Sequence, residues 1–170
     1  KKHSIDAPFV RPKSLSEDNS SMVDVLIHSL DWYSKKFKCY PKNIITLQPT
    51  SPFRTSNDID GAIKKYQEKN LNSLVSATET TQHPMECLFY DNSKNLKRIE
   101  LPYVDSKKNG RQSYTKCFFV DGGIYISSVK RFLSLKNMFD KNTDIYELKK
   151  SHAIDVDEQF DLELCRAMIA

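Results

Sequence analysis

Four stretches of this chain carry side chains whose types and spacing suit chemistry on a charged, hydroxyl-rich ligand. The first is Gln48-Pro49-Thr50-Ser51-Pro52-Phe53-Arg54. Prolines restrict φ, so Gln48, Thr50 and Ser51 can be held in one arrangement at low entropic cost, as a sugar site requires. The same string also reads as an ordinary Pro-rich turn. The second is Asp155-Val156-Asp157. Alternation along a strand sends both carboxylates to one face, where they repel unless a cation lies between them. Magnesium suits such a pair, because it takes one or two carboxylates together with phosphate oxygens and water. In the other reading Asp155 is merely exposed and Asp157 caps the helix that follows.

The third stretch runs from Arg11 to Ser21, directly before a helical pattern. A helix start offers unpaired amides and positive potential, so Asn19, Ser20 and Ser21 suit either a ligand or a cap. Arg11 adds a planar donor fork there, or is a surface charge. The fourth is Gly110-Arg111-Gln112, in which Arg111 can meet a carboxylate bidentately or be an ordinary loop arginine. His83 precedes Pro84 at the start of a polar stretch, while His3, His28 and His152 have no apparent partners. None of them reads as a catalytic base.

The elements that must position these residues follow from periodicity. Met22, Val23, Leu26, Ile27, Leu30 and Tyr33 form one apolar stripe, which predicts an amphipathic helix over 20–36. Residues 43–47 read as a buried strand, Ser56 as the cap of a second helix, and 73–77 as another strand. Helix between two apolar strands is the βαβ pattern of a parallel sheet, where ligands sit beyond the carboxyl ends of the strands. The loops after Leu47 and Ala77 are therefore site candidates. Residues 79–116 are polar, with strand-like pieces at 87–90 and near Leu101, and suit a flap or arm. Residues 118–127 return to strand composition around Gly122-Gly123, 129–139 read as helix, 153–157 as a last strand and 158–169 as a final helix.

Composition sets the outer limits. A chain of 170 residues that is 39% hydrophobic can bury one ordinary core, which predicts a single domain over 1–170. No apolar run approaches the roughly 20 residues that span a bilayer, and the start has charge without an apolar core behind it, so the expectation is a cytoplasmic protein with no membrane partner. Cys39, Cys87, Cys117 and Cys165 are scattered, which suits neither a zinc site nor a disulfide framework. The net charge of +4 is spread along the chain, which argues against nucleic acid as a partner.

Taken in order, Arg11-Pro12 to Ser21, Leu47 to Arg54, His83-Pro84, Arg111-Gln112, Asp121-Gly122-Gly123-Ile124-Tyr125-Ile126 and Ile154-Asp155-Val156-Asp157 resemble the CMP-sialic acid synthetases, or acylneuraminate cytidylyltransferases. The resemblance implies an α/β fold: a three-layer, Rossmann-like nucleotide-binding sheet, mostly parallel, with a dimerisation arm over 79–117. It implies a homodimeric enzyme that uses CTP and Mg²⁺ or Mn²⁺ to put CMP on a nine-carbon acidic sugar of surface glycans, such as N-acetylneuraminic or legionaminic acid. By position, Asp155 and Asp157 would be the metal carboxylates, and Arg11, Asn19, Ser20 and Ser21 would face the nucleotide. Gln48, Thr50, Ser51, Gln112 and Asp121 would face the sugar, and Arg111 would reach the sugar carboxylate of the partner subunit's site.

Two departures qualify the resemblance. The family begins with a strand and a Gly/Ser/Lys loop that cradles the triphosphate, and this sequence has no such loop; the expectation is a segment of a longer enzyme. Asp121-Gly122-Gly123 also stands where many relatives have Asn-Gly-Ala, and Glu86 where some place a basic contact, which suggests a shifted sugar preference. Two other readings remain: a 3-deoxy-manno-octulosonate cytidylyltransferase, and a non-catalytic dimerisation module.

Overall fold

A computed structural model describes residues 6–101 and 114–170. Helix α1 spans Met22–Phe37, and Ser21 caps it by accepting from the Val23 amide at 3.2 Å. It leads to strand β1, Asn43–Leu47, which is not the buried strand its composition suggests: Ile45 and Leu47 are exposed, because the strand lies at the edge of the described sheet. Helix α2, Ser56–Glu68, starts one residue earlier than its sequence suggests. Its N-cap is Thr55, whose hydroxyl accepts from the Asp58 amide while the Asp58 carboxylate accepts from the Thr55 amide. Strand β2, Ser73–Glu79, follows.

The chain then leaves the sheet to form a separate two-stranded hairpin from β3, Leu88–Tyr90, and β4, Leu96–Arg98. It returns as the long strand β5, Phe118–Ser128, and continues through α3, Val129–Leu135, β6, Asp144–Glu147, and α4, Gln159–Ile169. No helix among the described residues is long and apolar enough to cross a membrane.

The main sheet has the order β1-β5-β2-β6. Strands β1, β2 and β6 run in one direction, and β5 lies antiparallel between β1 and β2. The β1-α2-β2 unit is therefore the crossover that the sequence pattern implies, with β5 inserted between its two strands. Alternation along β5 divides the core into two layers. Ile124 and Ile126 pack with Ala62 and Tyr66 of α2, while Tyr125 packs on the side of Leu26, Leu30, Val129 and Phe132 from α1 and α3. Helices on both faces of the sheet give the three-layer α/β architecture.

Three expectations need correction. Residues 153–157 are not a strand: the free edge of β2 is taken by β6, and the Val156 amide instead bonds the Thr50 carbonyl at 2.9 Å. Strand β6 is too short and polar to show in the sequence. It forms where β2 offers an edge and where Lys65 and Lys69 of α2 meet Asp144 at 3.5 and 3.0 Å. Helix α3 stops at Leu135 rather than running to 139, because Lys136 adopts the left-handed conformation and Arg131 reaches back to the carbonyls of Asn137 and Met138.

Candidate active site

The carboxyl end of β1 delivers Gln48, and the loop before α4 delivers Asp155, to the same glycine. A Cβ built on Gly122 would lie 2.8 Å from Asp155 Oδ2 and 3.0 Å from Gln48 Oε1. Gly122 has φ +76°, a conformation that side-chain-bearing residues avoid, so the sequence position is matched to both the backbone and the crowding. The α1 N-terminus abuts this point, since Gln48 Nε2 lies 4.0 Å from Met22 Sδ. Arg54 holds the frame from behind: its Nη1 donates to the Gln48 carbonyl at 3.1 Å and to the Gly123 carbonyl at 2.6 Å, tying the end of β1 to β5.

Beneath the glycines lies Asp121, which is 1% exposed. Its Oδ1 accepts from the Ser76 hydroxyl and from the Gly123 amide, and Ser76 in turn accepts from the Ile124 amide at 2.7 Å. These bonds hold β5 where its register with β2 shifts between Val75 and Ala77. Burial pushes the Asp121 carboxyl above its usual range. The Ser76 and Gly123 bonds oppose that shift, the charge of Asp155 adds to it, and Arg54 opposes it. Asp121 and Asp155 also raise the Tyr125 hydroxyl, after burial as the larger cause. Asp121 Oδ2 and Asp155 Oδ1 are both buried and have no hydrogen-bond partner among the described residues.

The folded-state pKa of Asp121 lies above its unfolded value, so its ionisation costs the folded state stability as pH rises through the folded value, and the cost is absent below the unfolded value. Asp121→Asn keeps an acceptor for Ser76 and Gly123 while removing that charge. The variant is expected to melt at a higher temperature than the parent at pH 8, with the difference closing as pH falls toward 4; a lower melting temperature at pH 8 would refute the assignment.

The other sequence candidates fall in different surroundings. Ser51 is 4% exposed and its hydroxyl has no partner among the described residues, while Thr50 is half-buried and its carbonyl holds Val156. Asp157 is exposed, and the strand geometry that would have set it beside Asp155 is missing. It does not cap α4 either: Glu158 is the N-cap, and the amides of Asp157 and Glu158 donate to Asp161. Ser20 and Ser21 make local bonds to Glu17, Ser14 and Val23, whereas Arg11 and Asn19 are exposed, Arg11 reaching the Leu15 carbonyl at 3.4 Å. Arg111 and Gln112 lie outside the described residues.

Sequence reasoning missed the bracing role of Arg54 and Ser76, and it left His152 without a partner. In the fold His152 Nδ1 lies 2.9 Å from Asp58 Oδ2, joining the α2 cap to the segment that leads to Asp155. For Arg54 the signal was present, as the last residue of the Pro-rich string. For Ser76 and His152 nothing local marks the partner, since both contacts span many residues.

No family model matches the chain. Among curated proteins it is 27% identical over 165 residues to post-translational flagellin modification protein B of Campylobacter coli, covering 95% of this chain and 67% of that protein. It is 28% identical to N-acylneuraminate cytidylyltransferase of Escherichia coli, over 92% of this chain and 35% of the relative, and 26% identical to pseudaminic acid cytidylyltransferase of Campylobacter jejuni, over 98% and 70%. The chain is thus similar over most of its length to cytidylyltransferases named for acidic nine-carbon sugars.

A solved structure of 4-diphosphocytidyl-2C-methyl-D-erythritol synthase from Anaerococcus prevotii matches at a TM-score of 0.58 and 10% identity, over 89% of this chain and 67% of that one. At that identity the likeness establishes the nucleotidyltransferase-type fold. In this α/β fold the convergence of Gln48, Asp155 and Gly122 lies at the carboxyl end of β1, the position at which open α/β sheets take their ligands. The chain spans about two thirds of the Campylobacter relatives and about a third of the Escherichia one.

Proposed function

We propose that the protein carrying this chain transfers CMP from CTP to the anomeric hydroxyl of a nine-carbon acidic sugar and releases pyrophosphate. What carries the reading is the meeting of Gln48 and Asp155 at Gly122 beside the α1 N-terminus, in a chain similar to sugar cytidylyltransferases over most of its length. In the reaction the anomeric oxygen bonds to the α-phosphorus as the bond to the β-phosphate breaks. Such a transfer depends on positioning and charge neutralisation more than on a nucleophilic side chain.

Asp155 fits a divalent cation, because its Oδ1 is buried without a partner among the described residues and its other oxygen borders Gly122, as Gln48 Oε1 does. Among the described residues no group of three or more His, Cys, Asp or Glu side chains is arranged to hold a metal. Magnesium draws most of its ligands from phosphate and water, so one or two carboxylates of the chain are enough to hold it. Asp155, with Asp157 from the same loop, would hold the ion, which when bound neutralises charge on the triphosphate. The Gln48 amide orients the sugar, and the open amides of the first turn of α1, next to Ser21, face the nucleotide. Arg54 keeps Gln48 aimed, since it grips the carbonyl of that residue.

A homodimer is part of the proposal. Leu88, Tyr90 and Leu96 of the β3–β4 hairpin are 61, 72 and 55% exposed, an apolar surface that a second copy would cover, and Arg111 would then serve the partner's sugar carboxylate. The test is pyrophosphate release by the full-length protein with CTP, Mg²⁺ and a panel of N-acetylneuraminic, legionaminic and pseudaminic acids. Release with at least one sugar, dependent on CTP, is the expected result. Silence across that panel, or release only with the eight-carbon 3-deoxy-manno-octulosonate, would overturn the assignment.

A further inference from the structure

A second feature lies on β5, before the glycines. At the carboxyl end of β2 a hollow of about 360 Å³ is lined by Thr78, Thr80, Gln82, Phe119 and Lys150 among others. Its volume falls in the range of small-molecule sites. Thr78 and Phe119 are cross-strand partners, so their side chains stand on one face of the sheet. Phe119 is 66% exposed and presents an uncovered ring, while the Thr78 hydroxyl is buried and has no partner among the described residues.

Lys150 comes from the turn Lys150–His152, just after β6 pairs with β2. Its ammonium makes no ion pair or hydrogen bond among the described residues. Glu79, the acidic residue on the same rim, is already paired with Lys116 at 3.1 Å, so it does not neutralise Lys150. An uncovered ring, hydroxyl and amide groups and one free cation suit a ligand that mixes C–H surface with carbonyl and hydroxyl oxygens. A long anionic tail would want more cations, and a purely apolar group fewer polar ones.

Position decides which part of a sugar this is. Phe119 precedes Gly122 by three residues of strand, at most about 10 Å. In a nine-carbon keto-acid the carboxylate is bonded to the anomeric carbon and must stay beside the reacting phosphate near Asp155. Only the far end of the carbon chain, with its hydroxyls and acylamido groups, reaches three residues along β5.

We infer that this hollow receives the acylamido and polyol tail of the sugar, with Lys150 and Phe119 as residues that set sugar preference; the inference rests on the cytidylyl-transfer reading above. Lys150 and Gln82 donate to tail oxygens, and the Phe119 ring packs on acyl methyl or C–H surface.

The test compares Lys150→Met and Phe119→Ala with the parent in the full-length protein. The probes are the preferred acidic sugar and a synthetic analogue of it that lacks carbons 7 to 9 with their hydroxyl and acylamido groups. Both side chains are exposed, and melting temperatures serve to verify that each variant folds. For the complete sugar, kcat/KM is expected to fall by about threefold to tenfold per variant, the worth of one net hydrogen bond or ring contact. The shortened sugar should be used equally well by parent and variants, and the KM for CTP should not move. Equal losses on both sugars, or no loss on either, would overturn the role of the hollow while leaving cytidylyl transfer standing. A parent that turns over no sugar overturns both.

Discussion

Asp155→Asn in the full-length protein is expected to reduce turnover by about 10²–10³-fold, the scale seen when one preorganised electrostatic group is removed from a reaction site. The fold should not suffer. Asp155 Oδ1 has no hydrogen-bond partner among the described residues, and the charge of Asp155 works against Asp121 beneath it. Removing that charge relieves a repulsion, so the melting temperature without ligand should hold or rise. Asp157→Asn is expected to cost less, because Asp157 is exposed and its carboxylate makes no bond among the described residues. Steady-state rates beside thermal melts, with a divalent-cation titration for each variant, separate the two residues. Full activity in Asp155→Asn would remove the metal role from the site, and a larger loss in Asp157→Asn would move it to the exposed carboxylate.

Gly122→Ala should produce the second large effect, through geometry alone. The added methyl would sit 2.8 Å from Asp155 Oδ2 and 3.0 Å from Gln48 Oε1, closer than such contacts tolerate, on a backbone with φ +76°. The left-handed conformation costs a residue with a side chain about 1–2 kcal/mol. The two functional side chains must also move apart, and misplacement on the ångström scale costs on the order of 10²-fold in rate. The expected outcome is a loss of activity much greater than the loss of stability, with sugar and metal dependence both weakened. Retained activity together with a lowered melting temperature would show that Gln48 and Asp155 do not act at this point.

Most of the layer structure was legible in the sequence, because a buried helix face must repeat every three to four residues and a buried strand must be apolar. Helix α1 and strand β2 appear where those rules put them; β1 lies at the expected residues but at the sheet edge, with Ile45 and Leu47 exposed rather than buried. The start of α2 shifted by one residue because Thr55 and Asp58 make a reciprocal cap, a stronger anchor than Ser56 alone. The strand read at 153–157 failed for the opposite reason. Its composition suits a strand, but pairing needs a free edge, and β6 holds the edge of β2.

By itself, then, the sequence carried the resemblance to the cytidylyltransferases, the run of elements from α1 to β2, and the candidate residues Gln48 and Asp155. These are properties of residue type and short-range spacing. Only the tertiary structure decided that Asp155 meets Gln48 across Gly122, that Asp121 lies buried beneath them on Ser76, that Asp157 stays at the surface, and that Lys150 and Phe119 border one hollow. Each of those contacts joins segments far apart in the chain, and the positions are set by which strand edges are free and which carboxylates find partners, neither of which is written in a local pattern.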